Sequence, residues 1–161
     1  VFAYTDGFDA DISGWDVSNV TDMQDMFKQS TSFNSDISEW DTSSVTDMAY
    51  MFYRANNFNG NLSSWNTSSV TTMEQMFFEA ESFNGDLSGW DVSSVTNMRY
   101  MFEGAESFNQ DISSWDISNV TEMSWMFHQA YDLSDDNKCA IHNSFDSNSN
   151  WPYNWGHHCS A

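Results

Sequence analysis

The chain has 161 residues, enough for one domain with a sizeable core, and sets four Lys plus Arg against 24 Asp plus Glu, a formal net charge of −20. So acidic a chain has no basic stripe to neutralise phosphates, which argues against nucleic acid and anionic membranes and favours cations, basic partners or solubility in salt. No apolar run approaches the length of a transmembrane helix, and there is neither an initiator Met nor a signal peptide, so a mature or trimmed chain is expected.

Residues 1–10, VFAYTDGFDA, align on MFKQSTSFNS of the following stretch, with Phe2 over Phe27 and Phe8 over Phe33. The chain therefore begins part-way through a repeat. Five full copies follow, starting near Asp11, Asp36, Asn61, Asp86 and Asp111, and Trp15, Trp40, Trp65, Trp90 and Trp115 mark their common step of 25 residues. The pairs Met23/Met26, Met48/Met51, Met73/Met76, Met98/Met101 and Met123/Met126 account for all 10 methionines. A fixed period of this length signals a solenoid, in which no copy hides its apolar residues alone and stacking makes one continuous core. Solenoid ends normally carry caps. None is evident before the first copy, so a removed leader or a neighbouring molecule is expected to cover it.

Within a copy, the Trp-x-Val step of Trp15 and Val17 has period two and predicts a short strand with both side chains inward and Asp16 and Ser18 outward. Met48, Met51, Phe52 and Ala55 then fall at i, i+3, i+4 and i+7, the stripe of a two-turn helix. Thr21, Thr46, Thr71, Thr96 and Thr121 stand as its N-caps, and Thr71 with Glu74 spells a capping box. A polar turn follows, closed by Phe33, Phe58, Phe83 or Phe108 and then Asn34, Asn59, Asn84 or Asn109, a candidate buried amide ladder. The pattern ends at Leu133. Ser134 predicts a helix cap over Asp135 to Phe145, and residues 134–161 read as a C-terminal cap rich in Trp151, Tyr153 and Trp155.

The recurring F-N-x-D-[IL]-S-x-W-[DN]-[VT]-S-[SN]-V-T-x-M-x-x-M-F-x-x-A, over residues 1–133, resembles the BspA-type leucine-rich-repeat surface proteins, including the repeats of mycoplasma surface lipoproteins. That resemblance implies an α/β solenoid: a leucine-rich-repeat-like right-handed coil with a parallel sheet on one side and short helices on the other. It also implies a secreted or surface-anchored protein of adhesion and interaction.

Several residue sets are candidate sites. Asp16, Asp41, Asn66, Asp91 and Asp116 form an outward file that suits calcium between copies, or else bonds backbone N–H groups and the Ser18-type hydroxyls. A second file, Asp11, Asp36, Asn61, Asp86 and Asp111, reads as turn residues bonding their own backbone. Asn19, Asn61, Asn66 and Asn119 each open an N-x-[ST] triplet, candidates for glycosylation. Cys139 and Cys159 suggest one disulfide and an oxidising compartment; the same cysteines with His142, His157 and His158 are an alternative zinc set. Such a disulfide closes a loop of about 20 residues and stabilises the cap by roughly 3 kcal/mol in the chain-entropy account. No nucleophile stands beside a His outside the repeat, and no glycine-rich phosphate loop occurs, so catalysis is not expected.

The functional expectation is a non-catalytic, secreted or cell-surface repeat scaffold for protein interaction or adhesion. An alternative is a filament subunit stacking head-to-tail through Phe2 and Phe8 at one end and Trp151, Tyr153 and Trp155 at the other. A third is a calcium-dependent glycan binder. No cofactor beyond possible calcium, no nucleic acid and no membrane insertion are expected.

Overall fold

The computed structural model describes residues 1–159. Each 25-residue copy is a rung, and successive rungs are joined by backbone hydrogen bonds that reach 24 residues along the chain. Met48, Tyr50, Phe52 and Arg54 donate their N–H groups to the carbonyls of Thr72, Glu74, Met76 and Phe78 at 3.2, 2.8, 2.9 and 2.7 Å. The amides between them close tight turns instead: Met51 to Met48, Tyr53 to Tyr50 and Ala55 to Phe52, at 3.3, 3.2 and 3.0 Å. Ala49 donates to the Asp47 side chain at 2.8 Å, so every N–H from Met48 to Ala55 has an acceptor.

This arrangement overturns the expected α/β solenoid with a parallel sheet and flanking helices. Among the described residues there is one α-helix, one 3-10 turn and no extended sheet. Neighbouring rungs meet at single parallel bridges, Asp22 with Asp47, Asp47 with Thr72, Thr72 with Asn97 and Asn97 with Glu122. The expected Trp-x-Val strand is replaced by turns, such as Trp40 N–H to Ile37 and Val45 N–H to Thr42. The expected repeat helix fails for a different reason. Two residues per rung have left-handed backbone, as in Tyr50 and Arg54 at φ 59° and 53° or Gln75 and Glu79 at 52° and 49°, and such residues cannot continue a right-handed helix.

The threonines consequently cap nothing. Thr46, Thr71, Thr96 and Thr121 each direct both backbone N–H and Oγ1 to the carbonyl of the threonine 25 residues earlier. Glu74 makes no capping-box bond to Thr71; its N–H approaches the Thr72 hydroxyl at 3.4 Å.

The core lies inside the stack as aromatic columns. Phe27, Phe52, Phe77, Phe102 and Phe127 stack from rung to rung at 5.6, 5.5, 5.6 and 5.4 Å between ring centres. Within a rung each of the first four lies on a second phenyl, for example Phe52 on Phe58 at 4.1 Å. The indoles of Trp40, Trp65, Trp90 and Trp115 are parallel within 5° at 6.4 to 6.5 Å. Each donates Nε1–H to a carbonyl of the preceding rung, those of Ile12, Ile37, Leu62 and Leu87, at 3.2, 3.0, 2.9 and 2.9 Å. Buried Trp thereby satisfies its one polar atom while its face packs. Trp15 does not share the inward position expected for it: it is 49% exposed, with the Phe2 ring tilted against it at 5.4 Å between centres.

The asparagine ladder forms, on the outside rather than buried. Asn59, Asn84 and Asn109 each donate N–H to the side-chain oxygen of the asparagine 25 residues earlier at 2.9 Å; Asp9 starts the ladder under Asn34, and Ser134 N–H ends it on Asn109 at 3.0 Å. Its members are exposed or half-buried.

After the last rung comes α1, Asp135–Phe145. Ser134 Oγ accepts from Asn137 N–H at 3.2 Å, and Asp135 and Asp136 lie in the first turn where they suit the helix dipole. Ile141 and Phe145 face the core. Trp151, Tyr153 and Trp155 fold back on Phe127 at 6.2, 6.2 and 5.4 Å. Tyr153 Oη accepts the Phe127 N–H at 2.8 Å, where in every earlier rung a backbone carbonyl stands. A single 3-10 turn, Gly156–His158, leads to Cys159, which forms a disulfide with Cys139.

Candidate binding face

Both acidic files are occupied by local bonds. Ser18 gives N–H and Oγ to Asp16 Oδ1 at 3.1 and 2.6 Å, and Ser43, Ser68 and Ser93 do the same to Asp41, Asn66 and Asp91. Asp116 receives the Ser118 N–H at 3.0 Å. The serine hydroxyls and then their N–H groups hold the Asp16, Asp41, Asp91 and Asp116 carboxyls below the ordinary carboxylate value. In the second file Asp11, Asp36, Asn61, Asp86 and Asp111 accept the N–H two residues on, closing Asx turns. Among the described residues no group of three or more His, Cys, Asp and Glu comes together as a metal site.

The alternative zinc set is dispersed. Its two cysteines are bonded to each other, His142 Nδ1 lies 3.2 Å from the Trp151 indole N–H, and His158 Nδ1 lies 2.7 Å from Asp135. The sequon asparagines Asn19, Asn61, Asn66 and Asn119 are all exposed. Asn61 and Asn66 use their oxygens in turns, and Asn119 Nδ2 donates to the Ser93 carbonyl at 2.7 Å. Phe2 and Phe8, expected at an assembly end, stack on each other at 4.1 Å and on Phe27 and Phe33 of the next rung.

A different surface concentrates the chemistry. Four columns of the turn ribbon differ from copy to copy, as do some columns beyond it such as Thr31, Asn56, Glu81, Glu106 and Tyr131, while the Trp, Val, Met and Phe columns of the core are nearly fixed. One runs Asp25, Tyr50, Gln75, Tyr100, Trp125; another runs Lys28, Tyr53, Phe78, Glu103, His128. Beside them stand Gln24, Ala49, Glu74, Arg99, Ser124 and Gln29, Arg54, Glu79, Gly104, Gln129. The left-handed residues turn this ribbon so that Met48, Met51 and Phe52 enter the core while Tyr50, Tyr53 and Arg54 remain at least partly open to solvent.

The rings form a continuous belt across the rungs. Tyr53 stacks on Phe78 at 4.7 Å and 5°, Phe78 meets Tyr100 edge-on at 6.4 Å, and Tyr100 lies parallel to Trp125 at 6.5 Å and 11°. Trp125 is 51% exposed. Three of the four Lys and Arg residues sit on the same belt: Lys28 Nζ is 4.8 Å from the Tyr50 ring centre, Arg54 is 5.3 Å from Tyr53 and Arg99 is 4.7 Å from Tyr100. Lys28 pairs with Asp25 at 3.0 Å and Arg54 with Glu79 at 2.7 Å. Sequence reasoning followed the repeated outward positions and missed this belt; the disagreement among copies at these columns was the signal that marked it.

At its C-terminal end the belt borders a cleft of about 260 Å³ lined by Ser124, Trp125, His128, Pro152 and Tyr153. A larger, polar recess of about 440 Å³ lies where Asp116, Ser118 and Thr121 face Ser144 and Asn148 of the cap.

The described residues thus define a stacked 25-residue repeat closed by a helical, disulfide-bonded cap, with a belt of aromatic and cationic side chains along one ribbon. The chain belongs to the family described as "Mycoplasma protein of unknown function, DUF285", whose model matches residues 1–81 and again residues 60–151. Comparison with curated proteins returns no match, and comparison with solved structures returns none.

Proposed function

We propose that this chain is a non-catalytic interaction scaffold that works outside the cell, binding a partner through the aromatic belt. The observation that carries the reading is the gathering of half-exposed rings and three of the four cations in the columns where the copies differ. Repeat positions that build the stack are held nearly constant; positions left free to vary hold Tyr, Trp and Arg, the residue types that dominate binding hot spots. The disulfide fits an oxidising compartment. The finer resemblance to BspA-type surface proteins, in which adhesion is the expected activity, agrees with it.

Head-to-tail assembly has less support. Its proposed C-terminal contacts, Trp151, Tyr153 and Trp155, are packed against Phe127 within the chain. The test is surface plasmon resonance of the purified chain against a panel of extracellular proteins and polysaccharides. A triple variant, Tyr50→Ser, Tyr53→Ser, Trp125→Ser, serves as comparison. The expected result is a partner bound by the native chain and lost by the variant. Equal binding by the two would place the interaction elsewhere.

A further inference from the structure

The polar recess between the last rung and the cap lies where two ladders of the repeat run out. In earlier rungs the carbonyl at the Ser18 position is bonded by a side chain one rung on: Ser44 Oγ donates to Ser18, Ser69 Oγ to Ser43 and Asn119 Nδ2 to Ser93, at 2.7, 3.0 and 2.7 Å. The threonine carbonyls are served in the same way, as Thr96 takes both the N–H and the hydroxyl of Thr121 at 2.9 and 3.2 Å. Ser118 and Thr121 hold these two places in the last rung, and both line the recess. Among the described residues neither carbonyl receives a hydrogen bond, because the cap serves their neighbours instead. Ser144 Oγ donates to the Ser113 carbonyl at 2.7 Å, and Asn148 Nδ2 to those of Ile117 and Val120 at 2.8 and 3.0 Å.

The recess thus gathers acceptors that lack donors. Asp116 takes the Ser118 N–H on Oδ1 at 3.0 Å, which leaves Oδ2 open. On the opposite wall the Ser147 and Ser149 hydroxyls bond nothing among the described residues, so they are free to donate. The walls are already fixed: Asn148 ties the cap to two carbonyls of the rung and accepts the Asn150 N–H at 2.9 Å, so little is left to order when a ligand arrives.

Charge and size narrow the ligand. Among the described residues Asp116 is the one charged side chain on the lining, so an anion is repelled. One carboxylate across about 440 Å³ does not supply the roughly six to eight oxygens that calcium gathers. An apolar ligand would leave the open acceptors unpaired. A sugar ring meets both demands, since its hydroxyls donate as well as accept, and small-molecule sites span roughly 300–1,000 Å³. We infer that this recess binds a neutral saccharide without a metal ion, its hydroxyls donating to Asp116 Oδ2 and to the Ser118 and Thr121 carbonyls, its oxygens accepting from Ser147 and Ser149. The site shares no residue with the aromatic belt and stands independently of it.

The probes are methyl α-D-mannopyranoside, methyl α-D-glucopyranoside and methyl β-D-galactopyranoside, each titrated into the isotopically labelled full chain with EDTA present and followed by amide NMR shifts. The expected result is saturable binding of at least one glycoside, with the shifts centred on Ser118, Thr121 and residues 147–150. Asp116→Asn keeps the local turn, as Asn66 does natively with its bonds from Ser68, and should weaken binding roughly tenfold. Ser147→Ala combined with Ser149→Ala should weaken it as well. Asp41→Asn makes the same change in a distant rung; it and the triple belt variant should both bind as the native chain does.

No saturable shift with any of the three glycosides at the limit of their solubility would overturn the inference. So would shifts centred on Trp125 and lost in the triple variant, which would put the sugar on the belt. Shifts that appear only when calcium replaces EDTA would make the recess an ion site and overturn it too.

Discussion

At the scale of single residues, one polar atom on each large apolar side chain fixes the register of the stack. Trp65 Nε1 reaches the Ile37 carbonyl while its ring lies between those of Trp40 and Trp90. Trp65→Phe loses that bond, about 1 kcal/mol, and leaves a cavity the neighbours fill only in part. We expect a loss of roughly 2–3 kcal/mol in urea unfolding. Trp15→Phe makes the control: Trp15 is 49% exposed and bonds no carbonyl, so the same substitution should change stability little. Equal losses at the two positions would remove the indole bond from the account.

The Asp–Ser pairs make a second residue-scale prediction. The Ser43 hydroxyl and then its N–H hold the Asp41 carboxyl below its ordinary value of 3.8. A carboxyl whose value is lowered by folding stabilises the fold above the ordinary value, and that contribution is lost as pH falls through the lowered one. Ser43→Ala should therefore unfold more easily than the native chain at neutral pH, and the difference should close as pH drops below 3.8. Thermal melts across that range measure it. A gap that widens in acid would contradict the assignment.

At the scale of the element, the cap completes a hydrogen-bond pattern that a sixth rung would have continued. Phe102 N–H meets the Met126 carbonyl; Phe127 N–H meets Tyr153 Oη. Tyr153→Phe keeps the ring and orphans that buried amide, which should cost roughly 1–3 kcal/mol. Burial pushes the Tyr153 hydroxyl up to about 12, against the bond from Phe127. An acid raised by folding stabilises below its ordinary value, so the native chain should lose stability as pH rises from 10.0 toward about 12, and Tyr153→Phe should lack that alkaline phase. Chemical denaturation at several alkaline pH values would show it.

The cap helix was legible in the sequence because its signals are local: Ser134 before two aspartates, then Ile141 and Phe145 four apart. The rung was not. A helix and a ribbon of successive turns bury the same positions, Met48, Met51, Phe52 and Ala55, so the apolar spacing does not separate them. Glycine usually marks left-handed backbone, but here such positions hold Tyr50, Arg54, Gln75 and Glu79, and only the fourth full copy carries Gly104 there, at φ 67°. The threonines misled for a related reason: an outward hydroxyl at the head of a helix and one bonding the rung before it look alike in one dimension. What the copies shared told of the stack; what they did not share, at Tyr50, Arg54, Tyr100 and Trp125, held the candidate site.

At the scale of the whole molecule, the bonds of the turn ribbon run in one sense and those of the threonine and asparagine ladders in the other. The N–H groups of the turn ribbon point toward the following rung and its carbonyls toward the preceding one, so each rung is a template for the next. The same translation carries the Phe columns, the indole column and the threonine and asparagine ladders, and it lines the variable residues into one belt. A belt of this kind lengthens rung by rung, and its residues differ between copies while the Phe and Trp columns stay fixed.

Through-hydrogen-bond scalar couplings, measured by NMR on isotopically labelled chain, test this register most directly. The stack predicts couplings from Phe52 N to the Met76 carbonyl carbon and from Phe77 N to that of Met101, each 24 residues on. Couplings from Phe52 N to Met48, four residues back, with none between copies, would mean helical rungs without the template bonds and would contradict the account.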